Sequence, residues 1–192
     1  MKIQKLLWTP SSGFSGSGPE GADSNLVLYF GGRDTLKRDG WREALAARYP
    51  KALLFGCSAG GQIADFDVTD DAISAIAITF DHTTLRAAEA EISDAAQARR
   101  CGQELARALD APDLAGILIL SDGLCVNGSE LAGGLVDVLG QRAPICGGLA
   151  SDDAEFQETL VGLHGAPRAG LIGAVGFYGD AIRIGHGSCG GW

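Results

Sequence analysis

Leu26-Val27-Leu28-Tyr29-Phe30-Gly31-Gly32 is an apolar run of strand length stopped by two glycines, and Ala52-Leu53-Leu54-Phe55-Gly56 is a second such run. Between them Trp41, Ala44, Leu45 and Arg48 recur at helical spacing and Pro50 follows, which predicts a helix from about Gly40 to Tyr49. Strand, helix and strand in this order make a βαβ unit.

The remainder departs from a purely parallel α/β pattern. Ser11 to Asn25 is rich in Gly and Ser without periodicity and reads as a loop within a partly mobile segment over 1–25. Ala72 to Phe80 and Thr84 to Ala90 alternate as strands around Asp81-His82-Thr83, which predicts a hairpin without the favoured turn pair. Ser93 is placed to cap a helix reaching Leu109, with Ala98, Cys101, Leu105 and Ala108 as its apolar stripe. Leu114 to Leu120 is a fully apolar strand covered on both faces. A helix capped by Asn127 or Ser129 runs to Leu139, with Gly140 past its end. Thr159 to Leu163, Gly170 to Tyr178 and Ala181 to His186 are strands joined by turns too tight for parallel pairing, so they form an antiparallel meander. The expected class is α+β: a mixed sheet with a βαβ start, a central hairpin and a C-terminal antiparallel meander, helices packed on the sheet.

Composition narrows the function classes. Apolar residues make up 46% and charged residues 20% of 192, the balance of a folded domain with an ample core. Glycine, at 29 residues, is roughly twice its usual ~7%, which points to many tight turns and close packings. The net charge is −9, and no basic cluster offsets it, so nucleic acid is not an expected partner. The longest clean apolar stretch falls far short of the ~18 residues of a membrane span, and the N-terminal apolar run is too short for a signal-peptide core. Five cysteines without paired spacing suit a reducing compartment, so a cytoplasmic location is expected.

Three apolar runs end in a cysteine set among small residues: Gly56-Cys57-Ser58-Ala59-Gly60-Gly61, Pro144-Ile145-Cys146-Gly147-Gly148, and Gly185-His186-Gly187-Ser188-Cys189-Gly190-Gly191. Strand ends are where ligands sit in α/β proteins, and glycine lets backbone N–H groups approach them. The first run satisfies G-x-S-x-G, the serine-hydrolase elbow, with Asp152 followed by His164 or His186 as triad candidates; yet Gln62 to Val68 carries no helical stripe, and the mechanism requires a helix there. In the second, Gly147 and Gly148 are placed to donate to a carboxylate or phosphate, with Asp152 or Asp153 accepting from an amine, as would suit an amino acid. The alternative is a tight turn with solvated acids. A third stretch, Ser121 to Ser129, leads from a strand into a helix start and suits an anion. Cys57, Cys125, Cys146 and Cys189 all follow strands, but no C-x-x-C pair supports a metal or cluster, so no metal is expected. His82, His164 and His186 are each a potential axial haem ligand, His186 the best placed, without a C-x-x-C-H motif.

At these turns the sequence resembles the N-terminal domain of the FIST family, intracellular sensory proteins of signal transduction. Gly56-Cys57-Ser58-Ala59-Gly60-Gly61-Gln62-Ile63 resembles the family's G-C-S-T-x-G-E-I turn, and Gly147-Gly148-Leu149-Ala150-Ser151-Asp152 its G-G-x-A-x-D turn. His186 to Trp192 resembles the junction to a C-terminal FIST domain, which is not in this sequence. The resemblance implies a non-enzymatic domain binding a small ligand, an amino acid being the leading proposal, and signalling to an attached module; some relatives are haem-containing nitric-oxide sensors. Ala59 and Gln62 stand where the family pattern has Thr and Glu, which bears on the ligand taken. The expectation is a single sensory domain over 1–192 without an obligate cofactor. Its ligand-binding residues are Cys57, Ser58, Gly147, Gly148, Asp152 and His186, and its partners a small molecule and a C-terminal FIST domain or signalling module. A haem-dependent sensor and a hydrolase using Ser58 are the alternatives.

Overall fold

The computed structural model describes residues 1–17, 23–64 and 67–185. In chain order the elements are β1 (Lys2–Thr9), β2 (Gly13–Ser17), β3 (Leu26–Gly31), α1 (Arg33–Leu36), α2 (Trp41–Arg48), β4 (Leu53–Ser58), β5 (Gln62–Ala64), β6 (Asp67–Thr69), β7 (Ile73–Thr79), β8 (Thr84–Glu91), α3 (Ala98–Leu109, entered by a 3-10 turn over Ala95–Gln97), β9 (Leu114–Ser121), α4 (Gly128–Leu139), β10 (Ile145–Leu149), β11 (Val161–Leu163) and β12 (Leu171–Tyr178). Six strands form one sheet in the order β11-β4-β3-β7-β1-β2, four form a second in the order β10-β9-β12-β8, and β5 pairs with β6 alone. The chain therefore has the expected α+β class, with mixed sheets, helices packed on them and a βαβ start. β3 and β4 run parallel around α2, and β9 and β10 run parallel around α4.

Strand periodicity explains the layering. Side chains alternate faces along a strand, and here both faces are apolar. In β3, Val27 and Tyr29 pack with Trp41, Leu45 and Tyr49 of the α2 region. Leu26 of β3 instead packs toward Phe55, Cys57, Val161 and Leu163 of its own sheet and Leu120, Leu171, Val175 and Phe177 of the other. In β12, Ile172 and Ala174 turn to Cys101, Leu105, Leu131 and Leu135 of α3 and α4. The result is four layers: α2, the six-stranded sheet, the four-stranded sheet, and the α3–α4 pair. Gly102 and Gly134 let the two helices approach closely, since a Cβ at either would lie 2.3 or 2.1 Å from a backbone oxygen of the other helix.

Several connections differ from expectation. β7 and β8 form over the anticipated residues but are not a hairpin: both edges of β7 are occupied by β1 and β3, so the chain crosses to the other sheet, where β8 pairs with β12. The C-terminal meander does not form either. β11 joins β4 in the larger sheet, β12 lies between β8 and β9, and no strand forms over 181–185. The tight turns did signal antiparallel pairing, but with partners distant in sequence. Ser11 to Asn25 is not all loop, because β2 pairs with β1 and sets Phe14 opposite Trp8. That cross-strand aromatic pair, packed toward α2, outweighs the poor strand propensity of Gly and Ser. Asp94, not Ser93, caps the turn before α3, accepting from the Ala96 N–H, whereas Asn127 caps α4 as anticipated, accepting from Glu130.

Candidate functional site

The stretches 56–61, 121–129 and 147–153 converge at the carboxyl ends of β4, β9 and β10. The Ser151 N–H donates to the Ser58 carbonyl at 3.0 Å and the Ala150 N–H to the Ser121 carbonyl at 2.8 Å. Both parallel pairs thus end at one edge of the sandwich, the position at which α/β sheets usually hold ligands.

Ser58 is 1% exposed and works as a latch. Its N–H donates to the Leu160 carbonyl at 2.8 Å, and its Oγ accepts from the Leu160 N–H at 3.0 Å. The strand then turns into β5 rather than a helix, so the turn is not a nucleophile elbow. Cys57 points into the core between the sheets, where burial pushes its thiol up to about 12.

Asp152 is buried, and its carboxylate organises its own loop. Oδ2 accepts from Gln157 N–H at 2.7 Å and Glu158 N–H at 3.0 Å, and Oδ1 from Phe156 N–H at 3.2 Å. These backbone donors, with Arg33 Nη1 3.7 Å away, hold its carboxyl below the usual value. Arg33 also pairs with Glu155 at 2.8 Å and Asp34 at 2.9 Å. A carboxylate offers about four acceptor positions, so Asp152 is engaged by the protein. It holds a loop in which Asp153 and Phe156 take left-handed φ of 62° and 53°. Asp122, 2% exposed, acts similarly: it accepts from Leu124 and Cys125 N–H at 2.8 Å and from Gly170 N–H at 3.0 Å.

Gly147 and Gly148 are not in a turn; they lie in β10, the exposed edge strand, paired in register with Ile119 and Leu120 of β9. With Ser121, Cys146, Leu149 and Gly128 at the start of α4 they line a cleft of about 250 Å³. The first-turn N–H groups of a helix lack intrahelical acceptors, and its dipole favours an anion there. A Cβ at Gly147 would lie 1.8 Å from the Ile119 carbonyl oxygen, whereas one at Gly148 meets nothing within 4 Å. Gly147 lets β10 close on β9, and Gly148 leaves the edge bare.

The structure thus brings Ser58, Gly147, Gly148 and Asp152 to one end, sets Cys57 just inside it, and leaves His186 outside the described residues. His82 and His164 are exposed, so neither presents an imidazole within a buried slot for haem. Among the described residues no group of three or more His, Cys, Asp or Glu is placed to hold a metal ion. Arg33 and Thr159, whose Oγ1 accepts from Gly123 N–H at 2.9 Å, were not anticipated, nor was the loop-holding role of Asp122 within the 121–129 stretch. The available signal was position: Arg33 follows Gly31-Gly32 and Asp122 follows Ser121, each just past a strand end.

Among the described residues no helix is long and apolar enough to cross a membrane. No curated protein matches the chain significantly. The profile of the FIST N domain, a family of small-ligand-binding sensory domains of signal transduction, matches residues 25–192, spanning both βαβ units and the strand ends just described. The chain therefore belongs to the FIST N domain family.

Proposed function

We propose that this domain senses a small polar metabolite, best an amino acid, in the cleft between β10 and the start of α4. The observation that carries this reading is the cleft itself, which combines apolar walls from Ile119, Leu131, Leu135 and Ile145 with Ser121 and the backbone of Gly128, Gly147 and Gly148. Its volume of about 250 Å³ lies below the ~300–1,000 Å³ of drug-sized sites and suits a single amino acid. The carboxylate of the ligand sits toward the helix start, where N–H groups and the dipole favour it.

In this reading Gly147 and Gly148 touch the ligand. Ser58 and Asp152 act one step back, by fixing the segments that end β4 and follow β10. Cys57 supports them from the core. The domain is non-catalytic and cytoplasmic, and it passes the signal to a C-terminal FIST domain or signalling module by favouring one arrangement of these loops.

A thermal-shift screen of the amino acids and small carboxylates tests this. A ligand at 100-fold over its Kd adds about 2.7 kcal/mol, and at about 2–4 °C per kcal/mol the midpoint rises by roughly 5–11 °C. The expected result is a shift with one chemical class, abolished by Ala132→Phe, which fills the cleft from the exposed side of α4. A shift untouched by that substitution, or none with any compound, refutes the assignment.

A further inference from the structure

The layer between β10 and α4 is one side chain short. Alternate positions of a strand share a face, so Ile145, Gly147 and Leu149 all belong to the side of β10 turned toward α4. Ile145 packs against the core that β9 and β12 form with α3 and α4. Leu149 reaches the start of α4, where its Cδ atoms lie 3.8 and 3.9 Å from the place a Cβ of Gly128 would take. Gly147, between the two, brings no side chain to this layer. Its register partner Ile119 belongs to the same core and lines the cleft there. From the helix, Leu131 and Leu135, one turn apart, line it on the core side and Ala132 on the exposed side.

What surrounds the Gly147 position is therefore branched aliphatic: Ile119, Leu131, Leu135, Ile145 and Leu149. These five side chains offer close contact and burial but no hydrogen-bond partner. A hydroxyl, amide or charge set against them gives up its water without replacement, whereas a hydrocarbon gains from both terms. Size is set by the strand. Alternate positions on a strand lie about 6.6 Å apart, so the room between Ile145 and Leu149 is that of one core side chain.

We propose, on the reading of this cleft as an amino-acid site, that the ligand's side chain takes the place beside Gly147, so that the site selects a branched aliphatic amino acid: leucine, isoleucine or valine. The α-carboxylate and α-amino group stay toward Ser121 and the start of α4, and the hydrocarbon completes the layer between β10 and the helix. Interiors pack at near-crystalline density, so a ligand with a smaller side chain leaves this layer unfilled and one with a ring overfills it.

The test is isothermal titration calorimetry of the chain with L-leucine, L-isoleucine, L-valine, L-alanine, L-asparagine and L-phenylalanine, the weak binders read by competition. Asparagine matches leucine closely in shape, so that pair reads polarity alone, and alanine lacks the branch. A methylene in an apolar pocket is worth about ten-fold or more, so the best of the three branched amino acids should bind at least about ten-fold more tightly than alanine or asparagine. Leu149 is 51% exposed, so Leu149→Ala leaves the fold intact. It should weaken that best ligand by about four-fold or more and leave the Kd of alanine within about two-fold. Should the variant not fold, the series on the parent decides alone. Alanine, asparagine or phenylalanine bound as tightly as the branched amino acids would overturn the side-chain assignment and leave the amino-acid reading of the cleft standing. An equal weakening of leucine and alanine in Leu149→Ala would do the same. Binding of no amino acid at all would sink that reading, and the assignment with it.

Discussion

Replacing Ser58 by Ala separates a structural serine from a reactive one. The side chain is buried, and its Oγ accepts the Leu160 N–H at 3.0 Å just before β11 begins. Alanine removes the acceptor without adding volume and leaves that buried N–H unpaired. An orphaned buried donor costs about 1–3 kcal/mol. For a domain of this size each kcal/mol lowers the melting midpoint by about 2–4 °C, so the expected fall is roughly 2–12 °C. Urea unfolding should show a lower midpoint at unchanged slope, because the surface exposed on unfolding is the same. A midpoint within about 1 °C of the parent would refute the latch, since it lies below the smallest effect expected. Ester turnover in the parent that vanished in a variant of unchanged stability would return Ser58 to a nucleophile's role.

Further outcomes follow from the same edge of the sandwich. Gly147→Ala drives a methyl group into the Ile119 carbonyl and should destabilise the fold by about 1–3 kcal/mol, whereas Gly148→Ala should stay within about 0.5 kcal/mol in urea unfolding; equal effects would contradict the register of β10. Asp152 has a lowered folded-state pKa, so its contribution to stability is present above its unfolded value and lost as pH falls through the folded one. The stability gap between parent and Asp152→Asn, measured by urea unfolding, should therefore be open at neutral pH and close as pH drops below about 4; a gap independent of pH would refute the loop-anchoring carboxylate. Iodoacetamide should modify half-buried Cys146 in the folded protein and leave Cys57 untouched until unfolding, because Cys57 is buried and its thiol is pushed up to about 12. Protection of Cys146 by the bound amino acid, read by mass spectrometry, would support the cleft, and undiminished modification at saturation would count against it.

Local signals carried most of the element assignments. The helical spacing of Trp41, Ala44 and Leu45 became α2, the run from Leu114 became β9, and Asn127 capped α4. β2 escaped notice because Gly13-Phe14-Ser15-Gly16-Ser17 has little strand propensity of its own and gains its conformation from pairing with β1. That 121–129 and 147–153 meet was legible, because β9 and β10 are parallel strands of one unit and end on one side; that 56–61 of the other sheet joins them was not, and the cysteine run over 185–191 lies almost wholly outside the described residues. The hydrogen-bond partners of Ser58 and Asp152 were not legible: Ser58 is latched by Leu160, over a hundred residues away, and Asp152 by a loop whose path depends on Arg33.

By itself the sequence determined the class, the three longer helices and most strands. These depend on periodicity, caps and breakers that act within a few residues. Only the tertiary structure decided which strands pair, that two sheets face each other, and that the larger overhangs the smaller. Strands apolar on both faces, such as Leu114–Ser121, can be covered by a sheet or by a helix, and hydrophobic burial does not distinguish the two from within one strand. That choice is made when all the faces are packed together, and among the described residues it leaves β10 at the edge of its sheet and β1 and β2 outside the core between the sheets.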